Sequence, residues 1–370
     1  TGEVFALVST PSFDPNAFNR GFSRAEWKKM ISDPRHPLNN KAIAGLYAPG
    51  STFKMVVALA ALENGVVLPN NQVTCHGEIE LGERLFHCWK KDGHGRMNLA
   101  SAITQSCDVY FYEAARKTGI DLIAAMARRL GLGQRLNLEL PGEKRGLIPS
   151  RAWKKSTKGS SWQQGETLLA GIGQGFILTT PLQLAVMISR LVNGGRSVLP
   201  SLTRQLVPFS EKPSKTNLQP SFDGVGIHER YLEIINKAMV AVSNSHFGTA
   251  YKARIKERGY SMGGKTGTVQ VRQISEEEHE TGVLKNQELE WHERDHAIFV
   301  GYAPVKAPKY AVSVVVEHGG SGSTTAAPVA RDILLEVQRR KPTGGPGFNL
   351  ERKEALRQSR FQSYSFVREV

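Results

Sequence analysis

The spacing of apolar residues changes character along this chain, and the changes divide it into elements. Residues 4–8, Val-Phe-Ala-Leu-Val, predict a short strand followed by a Ser/Pro/Asn-rich loop through residue 19. Residues 55–62 (Met-Val-Val-Ala-Leu-Ala-Ala-Leu) are apolar on every side. That pattern predicts a fully buried helix, with Pro49-Gly50 as a stiff entry and Asn64-Gly65 as its C-cap. A polar, glycine-punctuated stretch fills 70–96. Helical spacing returns over 99–105, 109–118 and 122–130, the last two closed by Gly119 and Gly131. Residues 142–167 read as polar loop. Thr180-Pro181 opens another helix that closes at Asn193-Gly194-Gly195, and a further one spans 229–243. In the last third, 260–271, 297–303 and 310–317 read as strands and 326–337 as a closing helix.

Strands at both ends with helices between predict an α+β fold, an antiparallel sheet flanked by helices with a large all-helical subdomain. Residues 1–338 read as one domain. Residues 339–370 read as a Pro/Gly-led basic tail, poorly ordered or a marginal helix. With 40% hydrophobic and 22% charged residues the composition is that of a globular protein, and no run reaches the roughly 18 apolar residues of a membrane span. The chain opens Thr1-Gly2-Glu3 without a methionine and is read as an excised fragment, with an anchor or signal expected upstream. A net charge of +14 suits an anionic partner. The basic residues are scattered in short pairs such as Lys28-Lys29 and Lys154-Lys155, without the aromatic–basic interleaving of nucleic-acid readers, so no nucleic acid is expected.

Three short motifs carry candidate chemistry. Ser51-Thr52-Phe53-Lys54 puts a hydroxyl and an amine one helical turn apart, on one face, at the head of the buried helix. A serine hydroxyl needs a base to become a nucleophile, and a lysine serves as one when burial or a neighbouring cation lowers its pKa. The Lys54 amine is therefore expected to reach Ser51. Ser106-Cys107-Asp108 falls between two helical stretches, where a loop would display it. Lys265-Thr266-Gly267-Thr268 lies in a predicted strand after Gly263-Gly264, an edge that glycine opens to a ligand.

In that order the three motifs are those of penicillin-binding proteins and serine β-lactamases. The chain resembles the transpeptidase domain of class B penicillin-binding proteins, and most of all their elongation-specific branch. Thr1-Gly-Glu-Val-Phe-Ala-Leu-Val-Ser9, Asp14-Pro-Asn16, Tyr47-Ala-Pro-Gly50, Trp89-Lys-Lys-Asp-Gly-His94, Gly173-Gln-Gly175 and Thr180-Pro-Leu-Gln183 carry the finer likeness, over about residues 1–338. The resemblance implies a peptidoglycan D,D-transpeptidase that cross-links D-Ala-D-Ala stem peptides and is acylated by β-lactam antibiotics. Ser51 would be the nucleophile, Lys54 the general base and Ser106 the proton relay. Lys265 would supply field and hold the substrate carboxylate, with Thr266 and Gly267 beside it. The N–H groups of Ser51 and Thr268 would form the oxyanion hole. Asp108 stands where the familiar motif has Asn; an ionised carboxylate cannot donate a hydrogen bond, so pairing with a lysine is the alternative role. The resemblance also implies a membrane glycosyltransferase and scaffold proteins as partners, and a place on the periplasmic face of the bacterial inner membrane.

The only three cysteines, Cys75, Cys88 and Cys107, fall in one quarter of the chain with His94 among them. The pattern alone leaves open a zinc site, one disulfide with a free thiol, or three buried hydrophobes. The resemblance implies a Zn2+ site held by Cys75, Cys88, His94 and Cys107, structural because four protein ligands leave no open position.

Other candidates read more plainly. His279, His292 and His296 sit in or beside a charged loop and are not expected to bind metal. Gly171-Ile-Gly-Gln-Gly175 reads as a tight-packing turn, and Trp153, Trp162 and Trp291 as groove-lining or surface aromatics. The competing functions are a serine D,D-carboxypeptidase or β-lactamase, in which water deacylates the enzyme, and a β-lactam-sensing receptor domain.

Overall fold

The computed structural model describes residues 1–203, 222–272, 278 and 284–341. The first forty residues add no strand to a sheet. The run at 4–8 makes no bridge of its own; the residue before it, Glu3, forms a single parallel bridge with Ser201. Val4 and Leu7 pack on a small cluster that includes Ile43, Leu136 and Leu182, while Val8 is 76% exposed. Burial against helices thus replaces the expected strand pairing. Short helices α1 (Asn16–Arg20), α2 (Arg24–Ile31) and α3 (Lys41–Ala44) follow. Ser51 sits on a 3-10 turn, Gly50–Phe53, that runs straight into α4 (Lys54–Glu63).

Residues 54–62 of α4 are all buried. An apolar face on every side leaves no stripe for water, so other helices must surround it. Two antiparallel hairpins come first: β1 (Val73–Cys75) pairs with β4 (Gly95–Met97), and β2 (Glu78–Leu81) with β3 (Arg84–His87). Helices α5 (Leu99–Gln105), α6 (Asp108–Thr118) and α7 (Ile120–Arg129) then pack against α4. The expected polar loop at 142–167 instead holds α8 (Arg151–Lys158) and the start of α9 (Gln164–Gly171). Its polarity misled because only Lys154 of α8 is buried, while the Ser150 side chain caps the helix by accepting from the Trp153 N–H.

Helix α10 (Pro181–Val192) begins as expected: Thr180 accepts from the Gln183 N–H and Pro181 occupies the first turn. After α11 (Glu229–Asn244) come β5 (Gly263–Val269), β6 (His296–Ala303) and β7 (Tyr310–Val316), an antiparallel sheet in the order β5-β6-β7. The first of these strands is shorter than the 260–271 expected. α10 and α12 (Ala327–Arg340) pack on β6 and β7, and α11 packs on β5. Every residue of β6 after His296 is buried, as befits a central strand covered on both faces. The α+β expectation therefore stands, with a three-stranded sheet among the described residues. No helix among them is long and apolar enough to cross a membrane. Helix α12 runs two residues past the expected 338 boundary, and the tail from 342 on, like His279, lies outside the described residues.

Candidate active site

Three segments meet beside the head of α4. The 3-10 turn brings Ser51, which is partly buried. It is held by backbone bonds: Tyr47 and Thr179 exchange two, of 2.9 and 2.8 Å, and the Gly50 N–H donates to Gly173 O at 3.0 Å. Gly173 has φ +73, and a Cβ there would fall 2.2 Å from Gly50 O. The Gly-Gln-Gly stretch is thus the tight-packing turn expected, and it seats the Ser51 turn.

The second segment follows α5. Ser106 takes the left-handed conformation (φ 59, ψ 39) at the helix end, where glycine is usual, and the Cys107 N–H returns to Ala102 O at 2.9 Å. Asp108 opens α6. The third segment is β5, in which Lys265 pairs with Val300 and Gly267 with Ile298 of β6.

Their side chains converge on Ser106. The Lys54 ammonium donates to Ser106 O at 2.8 Å, Ser106 Oγ at 3.1 Å and Asp108 Oδ1 at 2.7 Å. Lys265 Nζ donates to Ser106 Oγ at 2.9 Å and to Thr266 O at 3.1 Å. Both lysine side chains are completely buried. All three Lys54 protons are engaged, so the expected bond between this amine and the Ser51 hydroxyl is not made among the described residues. The cause is a carboxylate at position 108, which binds the ammonium more strongly than a neutral hydroxyl could. Burial is the larger cause that pushes the Lys265 pKa well down, and the nearby Lys54 charge adds to it; Asp108 works against both. Since Ser106 Oγ accepts from both amines, its two lone pairs are used and its own proton is left to donate elsewhere.

Gly267 explains how close the segments come. A Cβ there would lie 3.1 Å from Pro49 O and 3.2 Å from Thr52 Cγ2, and one at Gly50 would lie 3.0 Å from Thr268 O. The backbone beside Ser51 therefore rests on the backbone of β5. Thr266 Oγ1 lies 2.7 Å from Thr249 Oγ1, and the exposed Thr268 accepts from the Gly322 N–H at 3.3 Å.

The four expected metal ligands also converge. Cys75 Sγ, Cys88 Sγ, Cys107 Sγ and a His94 ring nitrogen all lie within 4.8 Å of one another. His94 Nδ1 is 3.7 Å from Cys75 Sγ and 3.5 Å from Cys88 Sγ. A tetrahedral zinc with ordinary bond lengths separates its sulfur and nitrogen ligands by about 3.6 Å. The donor set thus fits zinc, and all three cysteines are free thiols. The knot touches the motif chemistry directly. Cys107 separates Ser106 from Asp108, the Asp108 N–H donates to Cys88 Sγ at 3.4 Å, and the Trp89 N–H donates to Asp108 Oδ2 at 3.0 Å.

The remaining candidates stay apart from this centre. His296 packs edge-on to His318 with ring centroids 4.5 Å apart, and burial holds its pKa down at about 4. Trp153 and Trp162 both pack on Phe176, and Trp291 on His318. The motif reading quoted Trp89 without giving it a role at the site, and it missed Thr249 and Glu317. Trp89 Nε1 donates to Ser106 O at 3.1 Å, and its place next to Cys88 was the available signal. Nothing local marks Thr249 or Glu317.

The penicillin binding protein transpeptidase domain is the family that matches, over residues 1–335. The peptidoglycan D,D-transpeptidase MrdA of Salmonella typhimurium is 36% identical over 343 residues, 90% of this chain and 53% of that protein. The chain thus spans about half the length of the curated relatives it matches. Among solved structures, Helicobacter pylori PBP2 in complex with MreC superposes with a TM-score of 0.78 at 30% identity, covering 90% of this chain and 57% of that one. Pseudomonas aeruginosa PBP2 in complex with WCK 5153 gives 0.74 at 38% identity, covering 88% and 69%.

Proposed function

Because the chain belongs to the penicillin-binding protein transpeptidase family, we propose that it is the cross-linking domain of a longer peptidoglycan D,D-transpeptidase. Ser51 Oγ attacks the penultimate D-Ala carbonyl of a stem peptide and gives up its proton to the buried amine cluster. The bond to the terminal D-Ala breaks, and Ser106 Oγ hands a proton to the leaving amine. An amine of a second stem peptide then attacks the Ser51 ester, forming the cross-link and freeing the serine. The N–H groups of Ser51 and Thr268 receive the developing oxyanion; one such donor contributes about 3–4 kcal/mol. Lys265, with Thr266 and Thr268, meets the substrate carboxylate.

The observation that carries this reading is the position of Ser106 Oγ, 3.1 Å from one buried lysine nitrogen and 2.9 Å from the other, beside the turn that presents Ser51. That is a proton-transfer station with its own proton free. Lys54 serves as base only after a proton leaves the cluster, because its ammonium is fully bonded as it stands. β-Lactams acylate the same serine. Incubation with a β-lactam should add one drug mass, mapped to Ser51, and Ser51→Ala should abolish it; an adduct that persists in that variant would remove the nucleophile. Product analysis with stem peptides separates cross-linking from the carboxypeptidase or β-lactamase outcome, in which water completes the turnover.

Zn2+ bound by Cys75, Cys88, His94 and Cys107 would lock the hairpins to the Ser106 loop; the convergence of four donors in a buried knot supports it. For the full-length protein the reading includes an anchor in the bacterial inner membrane, a periplasmic active domain, and a membrane glycosyltransferase and scaffold proteins as partners. The MreC complex of the Helicobacter pylori neighbour supports the scaffold.

A further inference from the structure

The oxyanion geometry needs two backbone N–H groups from different frames, Ser51 on the helical side and Thr268 on the sheet. A side-chain tie joins those frames. Tyr47, four residues before Ser51, is 7% exposed, and its hydroxyl donates to Glu317 Oε1 at 2.8 Å. Glu317 follows β7, in the same sheet as Thr268. Its other oxygen, Oε2, lies 3.3 Å from Lys41 Nζ, itself 8% exposed and donating also to Thr10 O at 3.1 Å. The next residue, His318, is left-handed (φ 53), and its N–H donates to His296 Nδ1 at 3.0 Å. The His296 ring in turn meets the Tyr47 ring edge-on, with centroids 5.5 Å apart. Carboxylate, phenol and imidazole therefore fix one another at the point where the segment leading to Ser51 passes the end of β7.

We propose that Glu317 and Tyr47 are positioning residues for acylation, a tie that sets the register of the Ser51 turn against β5. The inference rests on the transpeptidase reading above. The two residues touch no reacting atom; they act through the spacing of the two oxyanion donors. Backbone bonds from Tyr47 to Thr179 and from Gly50 to Gly173 fix the turn to the helical side only. Without the tie, the helical frame keeps its fold while the sheet frame loses its side-chain reference to the Ser51 segment. Such a loss falls on the chemical step, since the oxyanion forms there, and leaves noncovalent binding nearly unchanged.

Fluorescent-penicillin acylation, followed over a concentration series, separates the noncovalent constant from the acylation rate constant. Tyr47→Phe keeps the ring and deletes the bond. It is expected to slow acylation about tenfold, to shift the noncovalent constant less than twofold, and to leave the labelled fraction at saturation and the melting temperature near wild type. Glu317→Gln, whose amide oxygen accepts from Tyr47 only with its NH2 turned toward Lys41, should retain more of the rate than Glu317→Ala, which should lose it as Tyr47→Phe does. A Tyr47→Phe rate constant within twofold of wild type would overturn the proposal, as would a loss confined to the labelled fraction. A wild-type protein that takes no label would sink both this inference and the reading beneath it; a labelled wild type with an unaffected Tyr47→Phe sinks the inference alone.

Discussion

Asp108→Asn installs the residue type the familiar motif carries, and it should damage this protein. The two carboxylate oxygens have different donors: Oδ1 takes the Lys54 ammonium at 2.7 Å and Oδ2 the Trp89 N–H at 3.0 Å. An amide has one oxygen. Whichever way the introduced amide turned, its NH2 would face a donor, either the backbone of Trp89 or the lysine. The pair is also an ion pair, with the Lys54 side chain fully buried and the Asp108 side chain 11% exposed, so solvent screens it little. Removing one partner of such a pair costs about 3–5 kcal/mol, and a buried N–H left without an acceptor costs about 1–3 kcal/mol. These overlap, so we expect a loss of roughly 3–5 kcal/mol and a melting temperature lower by about 4–7 °C. Acylation should fall more than tenfold, because Lys54 loses the contact that orients it toward Ser106. The backbone bond from Asp108 N–H to Cys88 Sγ does not involve the mutated atoms, so any bound metal should stay, which separates this effect from collapse of the cysteine knot. Thermal melts, elemental analysis and fluorescent-penicillin acylation on one preparation provide the readouts. Acylation within threefold of wild type at an unchanged melting temperature would refute the two-donor reasoning and leave Asp108 as an ordinary amide substitute.

Three further outcomes follow from the same geometry. Gly267→Ala places a methyl about 3.1 Å from Pro49 O, forcing β5 and the Ser51 turn apart by a few tenths of an ångström; acylation should drop at least about tenfold with secondary structure intact by circular dichroism, and an unchanged rate would show that the segments have slack. Elemental analysis should find one zinc per chain, and Cys75→Ser or His94→Ala should lower zinc content, melting temperature and acylation together; zinc-free protein with a Cys75–Cys88 disulfide by mass spectrometry would end the metal reading. Lys265 has a folded pKa pushed below its ordinary 10.5, so between the two values the folded state binds fewer protons than the unfolded one and stability rises with pH. Urea unfolding between pH 7 and 10 should show that slope in the wild type and a flatter one in Lys265→Met; parallel curves would mean the buried lysine stays charged.

The parts of this protein visible in the sequence are those where one residue type meets a local requirement. Thr180-Pro181 can only start a helix well, and it does; the all-apolar run after Lys54 can only be buried, and it is. The cysteine pattern alone left a disulfide open; the family resemblance named the four metal-ligand candidates, and the structure brings all four together. What failed was decided by tertiary contact. The apolar run at 4–8 found helices to pack on before it found a strand to pair with. The 73–97 hairpins have strands of three and four residues with little apolar alternation. Positive-φ glycines at 77, 82, 93 and 95 turn the chain there, and alternation gave no sign of them. The direction of Lys54 was misjudged for the same reason: spacing put Ser51 within its reach, but the acceptors that won lie 52 and 54 residues away.

The charge balance of the centre explains why its three segments must be held so firmly. Two buried lysines face one buried carboxylate, and the serine between them adopts a backbone conformation that costs a non-glycine residue roughly 1–2 kcal/mol. An uncompensated cation relaxes if it can, by drawing in water or by swinging its side chain toward solvent. Both escapes are closed here. Phe111 lies under Lys54 with its ring centroid 5.6 Å from the nitrogen, and β6 backs the strand that carries Lys265. The remaining way to reduce the charge is to release a proton, and Ser106 Oγ is the hydroxyl both amines share. A centre that relieves its own electrostatic strain by moving a proton through a serine is suited to acyl transfer, where a proton must leave one oxygen and reach a departing nitrogen. The buried Asp108 carboxylate, 2.7 Å from Lys54 Nζ, offsets one of the two cations.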